Sequence, residues 1–269
     1  MTTPRIPTIS RGGSRFYVHP ETDAKAPGVT SIVGMLPKSF LRYWAAKVVA
    51  EQAVENLGEV VGLAMRDREA AIDFLKRAPD RDTKKAADVG SEVHAVFESL
   101  ARGEDVRRLH PEIQVFADHF REFLDEYQPE FVHLEETVWS EEHDYAGSFD
   151  VIARIHGELV VGDWKTTRSG VHEEVALQLS AYRHADYIIR PDGTKIPLPK
   201  VDGGFVLHVR PEGWELRPVR CDRSVFRFFL ALREVFDWER DVKSTVIGDP
   251  LNVPVKSRRS RRVTVRRSA

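Results

Sequence analysis

The chain has a single cysteine, Cys221, in 269 residues. That excludes an internal disulfide and any four-cysteine zinc or iron–sulfur site, and it makes a reducing, cytoplasmic compartment the expected one. No apolar run is long enough to cross a bilayer. The opening MTTPRIPTISRGG lacks the apolar core of a secretory leader, so no membrane association is expected. Charge of neither sign prevails, with 40 basic against 42 acidic residues and a net charge of −2. That balance conceals an asymmetry. Residues 254–269 hold Lys256, Arg258, Arg259, Arg261, Arg262, Arg266 and Arg267 and no acid, which leaves 33 basic against 42 acidic residues in the body. A basic tail on an acidic body points to a polyanionic partner; a solvated end accounts for the same composition.

Hydrophobic residues make up 42% of the chain and charged residues 30%, the balance of a globular domain. Residues 1–29, rich in Pro, Gly, Ser and Thr, carry one short strand at 15–19. A helical lobe follows. Leu41, Trp44, Ala45 and Val48 recur at helical spacing, and residues 67–79 read as a second helix that Pro79 stops. A third helix is expected from an N-cap at Thr83 to Gly103, and a fourth from Pro111 to Tyr127. The period then changes to two. Residues 131–140, 145–157 and 158–167 read as three strands of an antiparallel meander. A helix over 171–189, two more strands and a final helix carrying Val225, Phe228, Phe229, Leu232, Val235 and Phe236 complete the pattern. This predicts an α/β fold: a mixed central sheet flanked by helices, with an N-terminal helical lobe. The expected division is a lobe at 1–82, a core at 83–245 and a basic, disordered tail at 246–269.

Within the strands, the stretch GSFDVIARIHGELVVGDWKTT places Asp150, Asp163 and Lys165 among apolar residues. An unpartnered charge is costly inside a sheet, so three of them need a purpose. Strand alternation puts Ser148, Asp150, Ile152 and Arg154 on one face and Phe149, Val151, Ala153 and Ile155 on the other. Asp163 and Lys165 share a face, and strand pairing brings Asp150 beside them. Two adjacent carboxylates repel unless a cation lies between them, and Mg²⁺ is held by one or two carboxylates plus water and phosphate. The lysine makes sense for an anionic substrate, where an ammonium stabilises charge on a phosphate. Asp followed by Asp-x-Lys is therefore the pattern of metal-assisted phosphodiester hydrolysis, although a surface pair of Asp163 with Lys165 has the same spelling. A phosphate-cradling loop is rejected, because only two residues separate Gly162 from Lys165 and Asp163 would occupy the phosphate position.

Two helices add to this. In DVGSEVHAVFESL, Val89, Val93, Val96 and Leu100 form an apolar stripe, while His94 and Glu98 share another face beside Ala87, Gly90 and Ala101. Gly in a helix interior is unfavourable by about 1 kcal/mol relative to Ala, so Gly90 is expected to serve close packing. Imidazole suits a metal or a phosphate; a histidine bonded to its neighbouring glutamate is the plainer alternative. Gln178 and Tyr182, four apart on the helix after the third strand, suit orienting the lysine, a phosphate or a stacked base. Glu135 and Glu136 point opposite ways from the first strand. At most one reaches the site, and a surface role is expected for both.

Taken in order, Gly90-Ser-Glu-Val-His94, Gly147-Ser-Phe-Asp150, Asp163-Trp-Lys165 and Gln178-Leu-Ser-Ala-Tyr182 resemble the RecB-like exonuclease branch of the PD-(D/E)XK nuclease superfamily. The match covers residues 85–190. Phe149 stands where many superfamily members have proline, and the single cysteine rules out the iron–sulfur cluster of some relatives. The resemblance implies a restriction-endonuclease-like core. It implies Mg²⁺ or Mn²⁺ on His94, Asp150, Asp163 and the Trp164 carbonyl, with Lys165 as the catalytic lysine. Gln178 and Tyr182 become an accessory pair that positions DNA, and Glu98 an outer partner of His94. The implied activity is a deoxyribonuclease, an exonuclease on free DNA ends in recombination, repair or phage replication, alone or with a recombination or helicase partner. Two alternatives stay open: a structure-specific endonuclease, and a non-catalytic DNA-binding or assembly subunit with a nuclease-like fold.

Overall fold

The computed structural model describes residues 4–251, so the basic tail from Lys256 onward, including Arg258, Arg259, Arg261 and Arg262, lies outside the described residues. The fold is mixed α/β. Its centre is a seven-stranded sheet of order β10-β9-β6-β5-β4-β7-β8. The strands are β4 (Glu130–Ser140), β5 (Tyr145–Ile155), β6 (Glu158–Lys165), β7 (Tyr187–Ile189), β8 (Lys195–Pro197), β9 (Gly203–Arg210) and β10 (Gly213–Val219). The meander β4-β5-β6 is antiparallel, as its short connections require, and the β6–β9 pairing is parallel. That crossover is made by α7 (Glu174–Arg183) and the edge strands β7 and β8.

Helices cover both sheet faces, which is why β5, β6 and β9 are almost continuously buried. On one face α5 (Ala78–Ala101) and α6 (Pro111–Tyr127) bury Val93, Phe97, Phe120 and Phe123 against Val151, Ala153, Val160 and Trp164. On the other face α1 (Val29–Val33), α7 and α8 (Arg223–Asp237) bury Ile32, Leu179, Tyr182 and Phe229 against Phe149, Ile152 and Val161. A small sheet of β1 (Thr8–Arg11), β2 (Ser14–Val18) and β3 (Lys25–Pro27) docks on the main one through a Gly28–Ala146 bridge and the Tyr17 hydroxyl, which accepts the Ser148 N–H at 3.0 Å. The N-terminal segment is thus built into the core through Ile32 and Val33, and only α2 (Phe40–Glu55), α3 (Leu57–Arg66) and α4 (Arg68–Lys76) stand apart. The expected stripe on α2 buries nothing: no residue of α2 or α3 is buried.

Several boundaries differ from expectation. The expected start at Thr83 is wrong, because α5 begins at Ala78 and runs unbroken through the 82/83 division. Pro79 opens that helix, at a position where its missing N–H has no helical partner to lose. The helix expected over 171–189 ends at Arg183, and the β-branched pair Ile188 and Ile189 belongs to β7, paired with β4. On α8, Phe228 and Val235 of the expected stripe are exposed, and Phe226 is buried instead.

Candidate active site

The antiparallel β5–β6 ladder runs only from Ile155↔Glu158 to Val151↔Gly162, whereas β6 continues beside β9 to Lys165↔His208. Past Gly162 the β5 and β6 strands separate. The Asp150 carboxylate enters the gap and accepts the Trp164 N–H at 2.7 Å, replacing the missing ladder bond. Across from Asp150, between the pairs Leu134↔Val151 and Glu136↔Phe149, stands Glu135 with φ +52°. A left-handed conformation at a non-glycine residue costs on the order of 1 kcal/mol and marks a backbone held by its surroundings.

At this point both strands change phase. Tyr145 and Phe149 face α7 and α8, but Val151, Ala153 and Ile155 face α5 and α6. Likewise Leu134 packs toward α5 and α6 and Val138 toward α7 and α8. The expected shared face of Phe149 and Val151 is therefore corrected: strict alternation fails where Asp150 turns into the strand gap. Glu135 is likewise no surface residue. It is 5% exposed and joins His94 and Asp150 in a cluster whose potential ligand atoms all lie within 4.8 Å of one another. Glu136 pairs with His133 at 3.0 Å and with Arg190 at 3.7 Å. The adjacent glutamates gave no sign of this, because their assignment needs the irregular φ of Glu135.

His94 arrives from α5, its Nδ1 3.8 Å from Asp150 Oδ2, and its ring reaches the Trp164 carbonyl. Burial pushes the imidazole down to about 4, so it is neutral at physiological pH, the state in which it ligates metal. Burial also pushes Asp150 up, opposed by the Lys165 charge and the Trp164 N–H. Asp163 is raised by the same burial, against the pull of Lys165 and with a push from Asp150. For Lys165, burial favours the neutral amine, but Asp163 and Asp150 outweigh it and hold its pKa up. Lys165 Nζ lies 2.6 Å from Asp163 Oδ2. The other Asp163 oxygen accepts the Gln178 amide at 2.7 Å, and that amide also donates to the Tyr182 hydroxyl at 3.2 Å. His208 Nε2 lies 2.8 Å from the Thr167 carbonyl, tethering the segment that follows Lys165.

The fold thus gathers His94, Asp150, Asp163, Trp164, Lys165, Gln178 and Tyr182 around one cleft of 550 Å³. Three expectations need correction. Glu98 does not orient His94; its carboxylate takes the Arg5 and Arg102 guanidiniums at 2.9 and 2.6 Å, charge-assisted bonds stronger than one to a neutral ring. Tyr182 is 2% exposed, so it offers no face to a stacked base, and its hydroxyl accepts the Gln178 amide. Gly90 is not there for close packing, since an added Cβ would meet only Thr166 Oγ1 at 3.5 Å; it lines the cleft. Close approach occurs instead at Gly147, where a Cβ would lie 2.7 Å from the Tyr182 ring and 2.8 Å from Val29 Cγ2.

Of the expected ligands, His94 and Asp150 gather with Glu135, not with Asp163, whose oxygens are taken by Lys165 and Gln178; one neutral imidazole and two carboxylates suit a hard or borderline divalent ion. His94 Nδ1 is buried without a hydrogen-bond partner among the described residues. No protein-family profile matches the chain. No curated protein matches it either. A solved structure described as "Crystal structure of SSO0001" aligns with TM-score 0.32 and 14% identity over 74% of this chain and 86% of that one, a likeness too slight to bear on fold or activity. Among the described residues no helix is long and apolar enough to cross a membrane.

Proposed function

We infer that the protein is a Mg²⁺- or Mn²⁺-dependent deoxyribonuclease of the PD-(D/E)XK type, acting as an exonuclease on DNA ends. One observation carries this: His94, Glu135 and Asp150 converge within 4.8 Å beside an Asp163–Lys165 pair at 2.6 Å, in a cleft open to a polymer. Carboxylates kept there as a structural feature would be costly, since burial raises Asp150 and Asp163 and Asp150 repels Asp163. A divalent ion would be held by His94, Glu135 and Asp150, where it supplies Lewis-acid polarisation of a phosphate and a water of lowered pKa.

The remaining chemistry belongs to the side chains. Asp163 fixes the Lys165 ammonium at one place, and Gln178 fixes Asp163. Lys165, protonated by these neighbours, donates to the non-bridging oxygen that gains charge as the phosphorus becomes five-coordinate. The Trp164 N–H donates to Asp150 Oδ2 and fixes that carboxylate at the wall of the cleft. The Trp164 carbonyl keeps the His94 ring oriented.

The test is incubation of the purified chain with end-labelled linear DNA in Mg²⁺, in Mn²⁺ and in EDTA, alongside Lys165→Ala. Metal-dependent digestion that Lys165→Ala loses by at least 10²-fold is expected. Intact DNA in every lane would leave a DNA-binding subunit. Cutting of covalently closed circles at the linear rate would make it an endonuclease.

A further inference from the structure

The cleft has a second half that the hydrolytic residues do not use. Arg15 lines it from β2, on the same strand face as Tyr17, whose hydroxyl is tied to Ser148 two residues before Asp150. The Arg15 main chain is anchored by the Ser31 hydroxyl at 3.0 Å, yet no acceptor among the described residues pairs with its guanidinium. Arg15 shares the cleft lining with the acids but makes no ion pair among the described residues. At the rim, Phe40 of α2 and His172 of the segment before α7 lie with parallel rings, centroids 5.9 Å apart and planes 11° apart. Phe40 remains 50% exposed, an unusual position for an aromatic ring that lines a polar cleft. The Lys38–Glu174 pair at 3.1 Å joins the same two segments and fixes the rings over the opening. Ala86, Ala87 and Gly90 keep the facing wall of α5 flat.

We propose that these groups form a nucleotide subsite for an unpaired strand: Arg15 holds a backbone phosphate next to the scissile one, and the Phe40–His172 pair stacks a base. A guanidinium fork suits phosphate oxygens, and an exposed aromatic face takes any base. The cleft volume of 550 Å³ is in the range of roughly 300–1,000 Å³ that encloses small ligands, enough for a nucleotide or two of single strand and far below a duplex. The subsite rests on the nuclease proposal and gives it a substrate class.

The test is fluorescence anisotropy of the full chain with a labelled single-stranded oligonucleotide, its abasic counterpart and the matching duplex, with Ca²⁺ in place of Mg²⁺. The native chain should prefer the base-bearing strand to the abasic one by about 5- to 150-fold, the worth of one stacked base. Phe40→Ala should erase that preference, and Phe40→Trp should keep it. Arg15→Gln should weaken both strands alike and lower the slope of log K against log salt by about 0.7, one phosphate contact on a single strand. The subsite is refuted if Phe40→Ala keeps the native preference, if Arg15→Gln leaves the salt slope unchanged, or if the duplex binds as tightly as the single strand. Should the native chain bind DNA in these ways while linear DNA stays uncut in Mg²⁺, the subsite stands and hydrolysis fails. Binding of no DNA at all defeats both.

Discussion

Replacing Lys165 by Met removes the ammonium from a site holding several buried acids and keeps the length of the side chain. In the native chain Nζ lies 2.6 Å from Asp163 Oδ2, with the Asp163 side chain 3% exposed and that of Lys165 30% exposed. Removing one partner of a buried ion pair typically costs 3–5 kcal/mol, and the partial exposure of Lys165 puts the expected loss at the low end, about 3 kcal/mol. For a chain of 269 residues about 2 °C of Tm corresponds to 1 kcal/mol, so Tm should fall by about 6 °C in EDTA at pH 8. The loss must depend on pH. Asp150 and Asp163 already have raised folded-state values, and loss of the cation raises them further. A carboxyl raised on folding destabilises the fold as pH rises through its folded value, so the deficit of the variant should be full at pH 8 and shrink toward pH 4. Added Mn²⁺ should also stabilise the variant more than the native chain, because the ion meets no competing ammonium. Thermal melts at pH 8 and pH 4, with EDTA or Mn²⁺, decide it. A deficit that ignores both pH and metal would mean that Lys165 does not neutralise these carboxylates, and the mechanism built on it would fall.

Glu135→Gln tests the ligand set: the native chain should gain about 2.7 kcal/mol, or about 5 °C, in Mn²⁺ at 100 times its Kd, and the variant much less at the same concentration. If the variant shows the native gain in calorimetric melts, Glu135 is no ligand. His94, buried neutral with its pKa at about 4 against an ordinary 6.5, makes the metal-free fold lose stability as pH falls between those values, by about 3 kcal/mol in all. His94→Gln should flatten that part of a urea-unfolding pH series, and an unchanged slope would place the titration elsewhere. Gly162→Ala sets a Cβ 2.2 Å from Phe205 Cζ and 2.7 Å from Val151 Cγ1, both in the core, so overpacking should cost about 3 kcal/mol. Combining it with Phe205→Leu should recover part of the loss in the same melts; no recovery would mean the clash lies elsewhere.

Long amphipathic or alternating segments were legible in the chain because their burial is periodic. Helix α6 begins and ends at Pro111 and Tyr127 as its pattern predicts, and the β4-β5-β6 meander follows from three apolar runs with tight connections. The nearness of Asp150, Asp163 and Lys165 was legible from strand pairing, and that of Gln178 and Tyr182 from helical spacing; that His94 joins them was implied only by the order of the motifs. Elements whose sequence is neutral were not. The strands β7 and β8 have three residues each and owe their conformation to pairing, β7 with β4 and β8 with β7.

The sequence by itself determined which elements present Asp150, Asp163, Lys165 and His94, because polar groups placed inside apolar strands and on helix faces are a local property of the chain. Only the tertiary structure decided how those groups are used. Strand parity assumes an unbroken pleat, and here the pleat breaks on two strands at once, at Glu135 with its left-handed backbone and at Asp150 with its carboxylate in the strand gap. That break brings in Glu135, while Lys165 and Gln178 take the oxygens of Asp163 and Arg5 and Arg102 take Glu98 away from His94. Each outcome is a competition between partners far apart in the chain, settled by distance and charge once the fold has closed.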